Sequence, residues 1–152
     1  MFVNTSTIRW HRPCSIVLQN LWQGRAYDNG VTTYPRILVV DDEPWSLEFI
    51  SRFLRKEGYE VTEASDGAEA VELIKNSRFD LVLSDVRMPR LDGVALAMHI
   101  RSRVPTIPII LMTGVPFDLT EKLGYHPPCL SKPLSLDELR SNIQGAFLRR
   151  KL

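Results

Sequence analysis

From Arg36 onward, short runs of aliphatic residues alternate with longer segments in which apolar residues recur every three or four positions. The first kind of pattern predicts strands at Ile37–Val40, Glu60–Ala64, Leu81–Ser84, Ile109–Met112 and, more weakly, Cys129–Ser131. Three of the runs are continuous rather than alternating, as expected of strands buried on both faces. The second kind predicts helices between them. One runs from Pro44 to about Glu57, with Leu47, Ile50 and Leu54 on one face and Gly58 as its stop. Another starts at a capping-box-like Asp66 and Glu69, a third spans Val94–Arg103 before Pro105, and the last starts at Ser135 with Glu138. Between Thr113 and Cys129, Pro116, Gly124, Pro127 and Pro128 leave only about Asp118–Leu123 for a short fourth helix. This alternation predicts an α/β fold in three layers: a doubly wound five-stranded parallel sheet covered by helices on both faces.

Residues 1–35 follow neither period, so the chain is expected to divide into an N-terminal extension, 1–35, and one domain, 36–150. The extension carries Arg9, Arg12, Trp10 and Trp22 and reads as a loosely ordered tail or, alternatively, as a docking arm. A true translation start at Val31 would remove most of it. The 152 residues, 44% of them hydrophobic and 24% charged, suit one ordinary domain. With 19 Lys and Arg against 18 Asp and Glu there is no global basic field, so no nucleic-acid or membrane partner is expected and any charge-based function is local. Cys14 and Cys129 have no metal-type spacing and read as free thiols; with no signal sequence or apolar span, the expected location is cytoplasmic.

The local charge is concentrated after the strands. In an open parallel α/β sheet, ligands bind outside the carboxyl ends of the strands. Asp41, Asp42 and Glu43 follow the first strand, Asp85 the third, Thr113 the fourth and Lys132 the fifth. Carboxylates ~4 Å apart repel by several kcal/mol at the effective dielectric of a protein surface, and one lysine does not neutralise three acids. Such a rim calls for a hard divalent cation, and an all-oxygen set with water access suits Mg²⁺. A carboxylate beside that cation is a competent nucleophile toward phosphorus, with a hydroxyl and an ammonium to bind phosphoryl oxygens.

The set Asp41–Asp42, Asp85, Thr113 and Lys132–Pro133, with "DVRMPRLDG" around Asp85, resembles the receiver domain of two-component response regulators over about Arg36–Leu148. The resemblance implies a flavodoxin-like receiver fold in which Asp85 accepts a phosphoryl group from a histidine kinase or phosphotransfer protein. It further implies Mg²⁺ held by Asp41, Asp42, Asp85 and the backbone carbonyl of Arg87, Lys132 paired with the acceptor, Thr113 as the switch residue, and a cis Lys132–Pro133 bond. The chain ends with the fifth helix, so the expectation is a stand-alone receiver, monomeric or weakly dimeric, that changes its affinity for a protein partner. It would be a phosphoacceptor rather than an enzyme.

Some positions depart from the family. The usual aromatic residue three places before the lysine is Cys129, too small to carry a ring-based readout, with Tyr125 a nearby substitute. Two positions that tune phosphate lifetime in the family are Arg87 and Val115; an apolar Val115 offers an attacking water no polar handle, which implies a long-lived phosphate. One rival is a receiver-like binding module that does not use phosphate. A phosphohydrolase is the other, although "DDEPW" lacks the second aspartate at the spacing such enzymes use. His11, His99 and His126 form no metal or phosphotransfer pattern.

Overall fold

The computed structural model describes residues 26–28, 31–115 and 123–150. In chain order its elements are strands β1 (Ala26–Asp28), β2 (Val31–Thr33) and β3 (Arg36–Val40), helix α1 (Pro44–Lys56), β4 (Glu60–Ala64), α2 (Gly67–Asn76), β5 (Leu81–Asp85), α3 (Gly93–Arg103), β6 (Ile109–Thr113), β7 (Cys129–Ser131) and α4 (Leu136–Arg150). The five predicted strands and the four predicted helices that fall on described residues are therefore present, with ends shifted by one or two residues. Strands β1 and β2 pair antiparallel within the segment preceding residue 36, a pairing that the hydrophobic pattern does not signal. The short helix expected at Asp118–Leu123 lies outside the described residues apart from Leu123, as do Arg9, Trp10, Arg12, Cys14 and Trp22.

Strands β3 to β7 form one parallel sheet in the order β4-β3-β5-β6-β7. The side chains of each central strand divide between its two faces, as a period of two requires. Ile37, Val39, Leu81, Leu83, Ile110 and Met112 pack with Ile50 and Leu54 of α1 and Leu139 and Ile143 of α4. Leu38, Val40, Val82, Ile109 and Leu111 pack on the other face with Ala70 and Ile74 of α2 and Leu96 and Ile100 of α3. Continuous aliphatic runs thus feed two cores at once. Edge strand β4 presents exposed Glu60 and Glu63 instead, charges that discourage pairing with another sheet.

Helix ends follow local chemistry, with two refinements. At α2, the Asp66 carboxylate accepts from the Ala68 and Glu69 amides, but Glu69 reaches back to the amide and hydroxyl of Ser65, one residue before the expected partner. Those Ser65 bonds hold the Glu69 carboxyl below the usual range. Asp92, which the pattern does not single out, caps α3 through the Ala95 amide. Gly58, with φ of 92°, closes α1 in the left-handed conformation that glycine accepts without steric cost.

Register brings the chemistry to one level. Val40 pairs with Ser84, Asp85 with Met112, and Thr113 with Ser131, so the residues at and just after these strand ends emerge together. The chain leaves β3 toward β4 on one side and returns to β5 on the other, which opens a crevice between the ends of β3 and β5. Gly93 closes the loop after β5: its amide donates to the Val86 carbonyl, and an added methyl would overlap the Asp85 carbonyl oxygen. Gly93→Ala is expected to cost ~1–3 kcal/mol through this overlap. Gly145→Ala in α4, where the nearest atom is the Arg149 tip at 3.9 Å, should instead add up to about 1 kcal/mol of helix propensity. Urea unfolding of the two variants checks both signs.

Candidate functional site

Asp85 ends β5 and Thr113 ends β6, while Asp41 and Asp42 follow β3 and Lys132 follows β7. All line one cavity of about 290 Å³, together with Glu43, Arg87 and Gly114. The residues singled out in the sequence for phosphoryl chemistry therefore converge, and the structure adds Glu43 and Gly114 to the lining.

The cavity is organised around the Lys132 ammonium, which lies 2.8 Å from Asp41 Oδ2 and 2.7 Å from Asp85 Oδ1. The Lys132 amide donates to the Thr113 carbonyl at 2.7 Å, fixing where its side chain begins, and the peptide that follows, Lys132–Pro133, is cis. Asp41 is almost fully buried and fully engaged: Oδ1 accepts from the Glu43 amide at 2.9 Å, and Oδ2 also accepts from the Ser46 hydroxyl at 2.6 Å. Ser46 was invisible in the sequence because its role depends on the first turn of α1 folding back over the strand end. Asp85 Oδ2 accepts from the Arg87 amide at 2.9 Å.

Burial pushes the Asp85 carboxyl up, with nearby Asp41 adding to the rise and the Lys132 and Arg87 bonds opposing it. For Lys132, burial works against the ammonium, but hydrogen bonds and charge from Asp41 and Asp85 outweigh it and raise its affinity for the proton. The two directions are compatible, because the lysine gains two acids whereas Asp85 gains one cation and meets another carboxylate.

The lining holds Asp41, Asp42, Glu43 and Asp85 against Lys132 and Arg87, so negative charge is in excess. Asp42 is exposed and has no hydrogen-bond partner among the described residues. No three His, Cys, Asp or Glu side chains among the described residues are placed to hold a metal by themselves. The donor set nevertheless fits a hard cation that takes only part of its shell from protein: the Asp42 and Asp85 carboxylates and the Arg87 carbonyl, with water for the rest.

Thr113 does not reach Asp85 here. Its hydroxyl donates to the Val115 carbonyl at 2.9 Å and accepts from the Val115 amide at 3.2 Å. Val115 is exposed and lines an adjoining groove of about 590 Å³ with Val86, Met88, Pro89 and Val94. Cys129 is exposed on the edge strand β7, and the partial burial of its sulfur pushes the thiol up. Tyr125 sits under the Arg101 guanidinium, 4.2 Å from its ring centre, and packs on the α2–α3 side of the sheet.

The model of the response regulator receiver domain matches residues 37–144. The chain belongs to this family. Response regulator MprA of Mycobacterium sp. (strain KMS) is 41% identical over 118 residues, which are 76% of this chain and 51% of that protein. The transcription factor SKN7 of Saccharomyces cerevisiae is 37% identical over 142 residues, covering 90% of this chain and 23% of its own. The chain thus spans about half or less of the length of these relatives. Among solved structures, the signal receiver domain of an HD domain-containing protein from Pseudomonas fluorescens Pf-5 superposes with a TM-score of 0.73 at 29% identity, covering 78% of this chain and 98% of its own. TrrA from Thermotoga maritima, solved in complex with Mg²⁺ and BeF, gives 0.66 at 32% identity, covering 74% and 98%.

Receiver domains are phosphoacceptor signalling domains rather than classical enzymes, they are phosphorylated by histidine kinases, and they bind Mg²⁺ for that reaction. The expectation of no nucleic-acid partner finds no support in these relatives, one of which is named a transcription factor. Among the described residues no helix is long and apolar enough to cross a membrane.

Because burial raises the Asp85 carboxyl, its ionised form opposes folding at neutral pH, and the native state is favoured where the group is protonated. Asp85→Asn should therefore be more stable than the parent chain at pH 7. That gain should shrink as pH falls through the carboxylate range, where the parent also becomes neutral. Urea unfolding of both proteins across that range measures the difference.

Proposed function

We propose that Asp85 of this receiver domain takes a phosphoryl group from a phosphohistidine donor in a Mg²⁺-dependent reaction, and that the modified protein changes its affinity for a partner protein. The observation that carries this reading is the convergence of Asp85, Lys132, Thr113 and the unpartnered carboxylate of Asp42 on one cavity. An Asp85 oxygen forms the new bond to phosphorus while the bond from phosphorus to the donor's imidazole nitrogen breaks, its electron pair leaving with the imidazole. Lys132, already on Asp85, stays to bind a phosphoryl oxygen. Asp42, Asp85 and the Arg87 carbonyl would hold the metal. When bound, Mg²⁺ supplies positive charge to the phosphoryl oxygens. Asp41, its oxygens taken by protein donors, would reach the metal through water.

Thr113 would carry the signal by exchanging its Val115 partner for a phosphoryl oxygen, pulling the following loop with it: a shift between two packings rather than a new fold. The small side chain of Cys129 would let this movement proceed without an inward ring. The apolar wall formed by Val115 favours slow loss of the phosphate, because an attacking water finds no acceptor there. Trp45 and Phe49, one turn apart on α1 beside the acidic rim, are 81% and 54% exposed. They form an apolar patch that a donor domain would cover.

Incubation with acetyl phosphate and Mg²⁺ should add one phosphoryl group by intact mass, and neither Asp85→Asn nor omission of the metal should give it. A chain that stays unmodified would instead be a binding module of receiver fold that works without phosphate. Val115→Glu should accelerate loss of the label severalfold; a rate that slows or hardly changes would remove the lifetime argument. Trp45→Ala should leave labelling by acetyl phosphate intact while slowing transfer from a phosphohistidine protein, measured by radiolabel transfer.

A further inference from the structure

The loop after Asp85 is fastened to a second element that the phosphoacceptor chemistry does not itself require. Arg90 has φ of 66°, in the left-handed region that side-chain-bearing residues rarely adopt. Its guanidinium forms an ion pair with Asp66, the N-cap of α2. Asp66 is 1% exposed; its Oδ1 is occupied by the Ala68 and Glu69 amides, while its buried Oδ2 has no hydrogen-bond partner among the described residues and is met by the Arg90 guanidinium as an ion pair. One residue on, the Gly67 amide donates to the Leu91 carbonyl at 3.2 Å, an approach so close that an added methyl at Gly67 would overlap that carbonyl.

The loop is therefore fastened at two places. Gly93 ties it to the end of β5 through the Val86 carbonyl, and Arg90 and Leu91 tie its middle to the start of α2. Between these fastenings lies Arg87, whose amide holds Asp85 Oδ2 and whose carbonyl belongs to the proposed metal donor set. Asp92 caps α3, the helix that follows, through the Ala95 amide, so among the described residues Arg90 makes the loop's one ion pair to an element outside its own β5–α3 connection.

We propose that Arg90 is a positioning residue for phosphoryl transfer, clamping Asp66 so that the main chain of Arg87 is held against Asp85. The clamp rests on the reading of Asp85 as phosphoacceptor, but acts without touching the reacting atoms. Its strained backbone and its ion pair are separable. Arg90→Gly relieves the first and removes the second, Arg90→Ala removes the pair and keeps the strain, and Arg90→Lys keeps the charge.

Two measurements on the full chain decide it. The first is the initial rate of labelling by acetyl phosphate as a function of Mg²⁺ concentration. Both Arg90→Ala and Arg90→Gly should need severalfold more Mg²⁺ for half-maximal rate while the plateau rate changes little, and Arg90→Lys should recover most of the loss. The second, made without metal or phosphodonor, is amide hydrogen exchange by NMR. In Arg90→Ala and Arg90→Gly the Gly67 and Arg87 amides should exchange severalfold faster while strand amides of β3 and β5 keep their protection. Uniform acceleration throughout the protein, or an Arg90→Gly variant that matches the parent in both measurements, would overturn the clamp. An unlabelled parent protein would overturn the phosphoacceptor reading instead, and the exchange data would still show whether Arg90 holds Arg87 in place.

Discussion

A single half-buried ammonium holds the strand-end cavity of this molecule together. Lys132 arrives from the edge of the sheet and bridges Asp41 and Asp85, which come from the two strands beside the point where strand order reverses. Two carboxylates brought that close, one of them almost wholly out of water, would repel strongly without it. The Asp41–Lys132–Asp85 bridge therefore makes it possible for a parallel sheet to end in acids without splaying apart. It compensates only part of the charge, and the remainder includes the exposed carboxylate of Asp42.

The rest of the architecture serves to bring that bridge about. Parallel strands buried on both faces need apolar side chains in both directions, and Ile37–Val40, Leu81–Leu83 and Ile109–Met112 supply them to two separate cores. Those cores set the register, and the register sets the level at which Asp41, Asp85, Thr113 and Lys132 leave the sheet. Glycines act where backbone must approach backbone: Gly93 against Asp85 and Gly67 against Leu91. The loop after Asp85 is consequently framed by packed elements rather than left free, which suits the proposed phosphoryl transfer, a reaction that depends on positioning more than on acid–base work.

Much of the fold was legible in the chain because strand burial and helix amphipathicity leave periodic marks. Helix ends were legible where a cap is a local exchange of hydrogen bonds, as at Asp66, although Glu69 found Ser65 rather than the cap residue itself. The β1–β2 pair was not legible: strands of three residues give too short a pattern to show a period. In the site, the charged and hydroxyl groups could be named in advance because each follows a strand in the order the family uses. Ser46 could not, since its hydrogen bond to Asp41 spans a turn of helix whose direction only packing sets. Nor could the clamp of Arg90 on Asp66, two surface-type residues from different loops.

Linear order was enough to settle the layers, the alternation of strand and helix and the residue types at each strand end, because these depend on local periodicity and on chemistry carried by single side chains. Packing in three dimensions settled which oxygens are already taken and which stay open. Asp41 and Asp42 are neighbours of the same type, yet one is buried under Ser46, Lys132 and the Glu43 amide while the other lines the cavity with no hydrogen-bond partner among the described residues. Thr113, likewise, is committed to Val115 rather than to Asp85. Lys132 reaches Asp41 from 91 residues away, and the short-range bonds to Glu43, Ser46 and Val115 form only once packing has fixed the path of each strand-end turn, so no periodic pattern in the chain contains these distinctions.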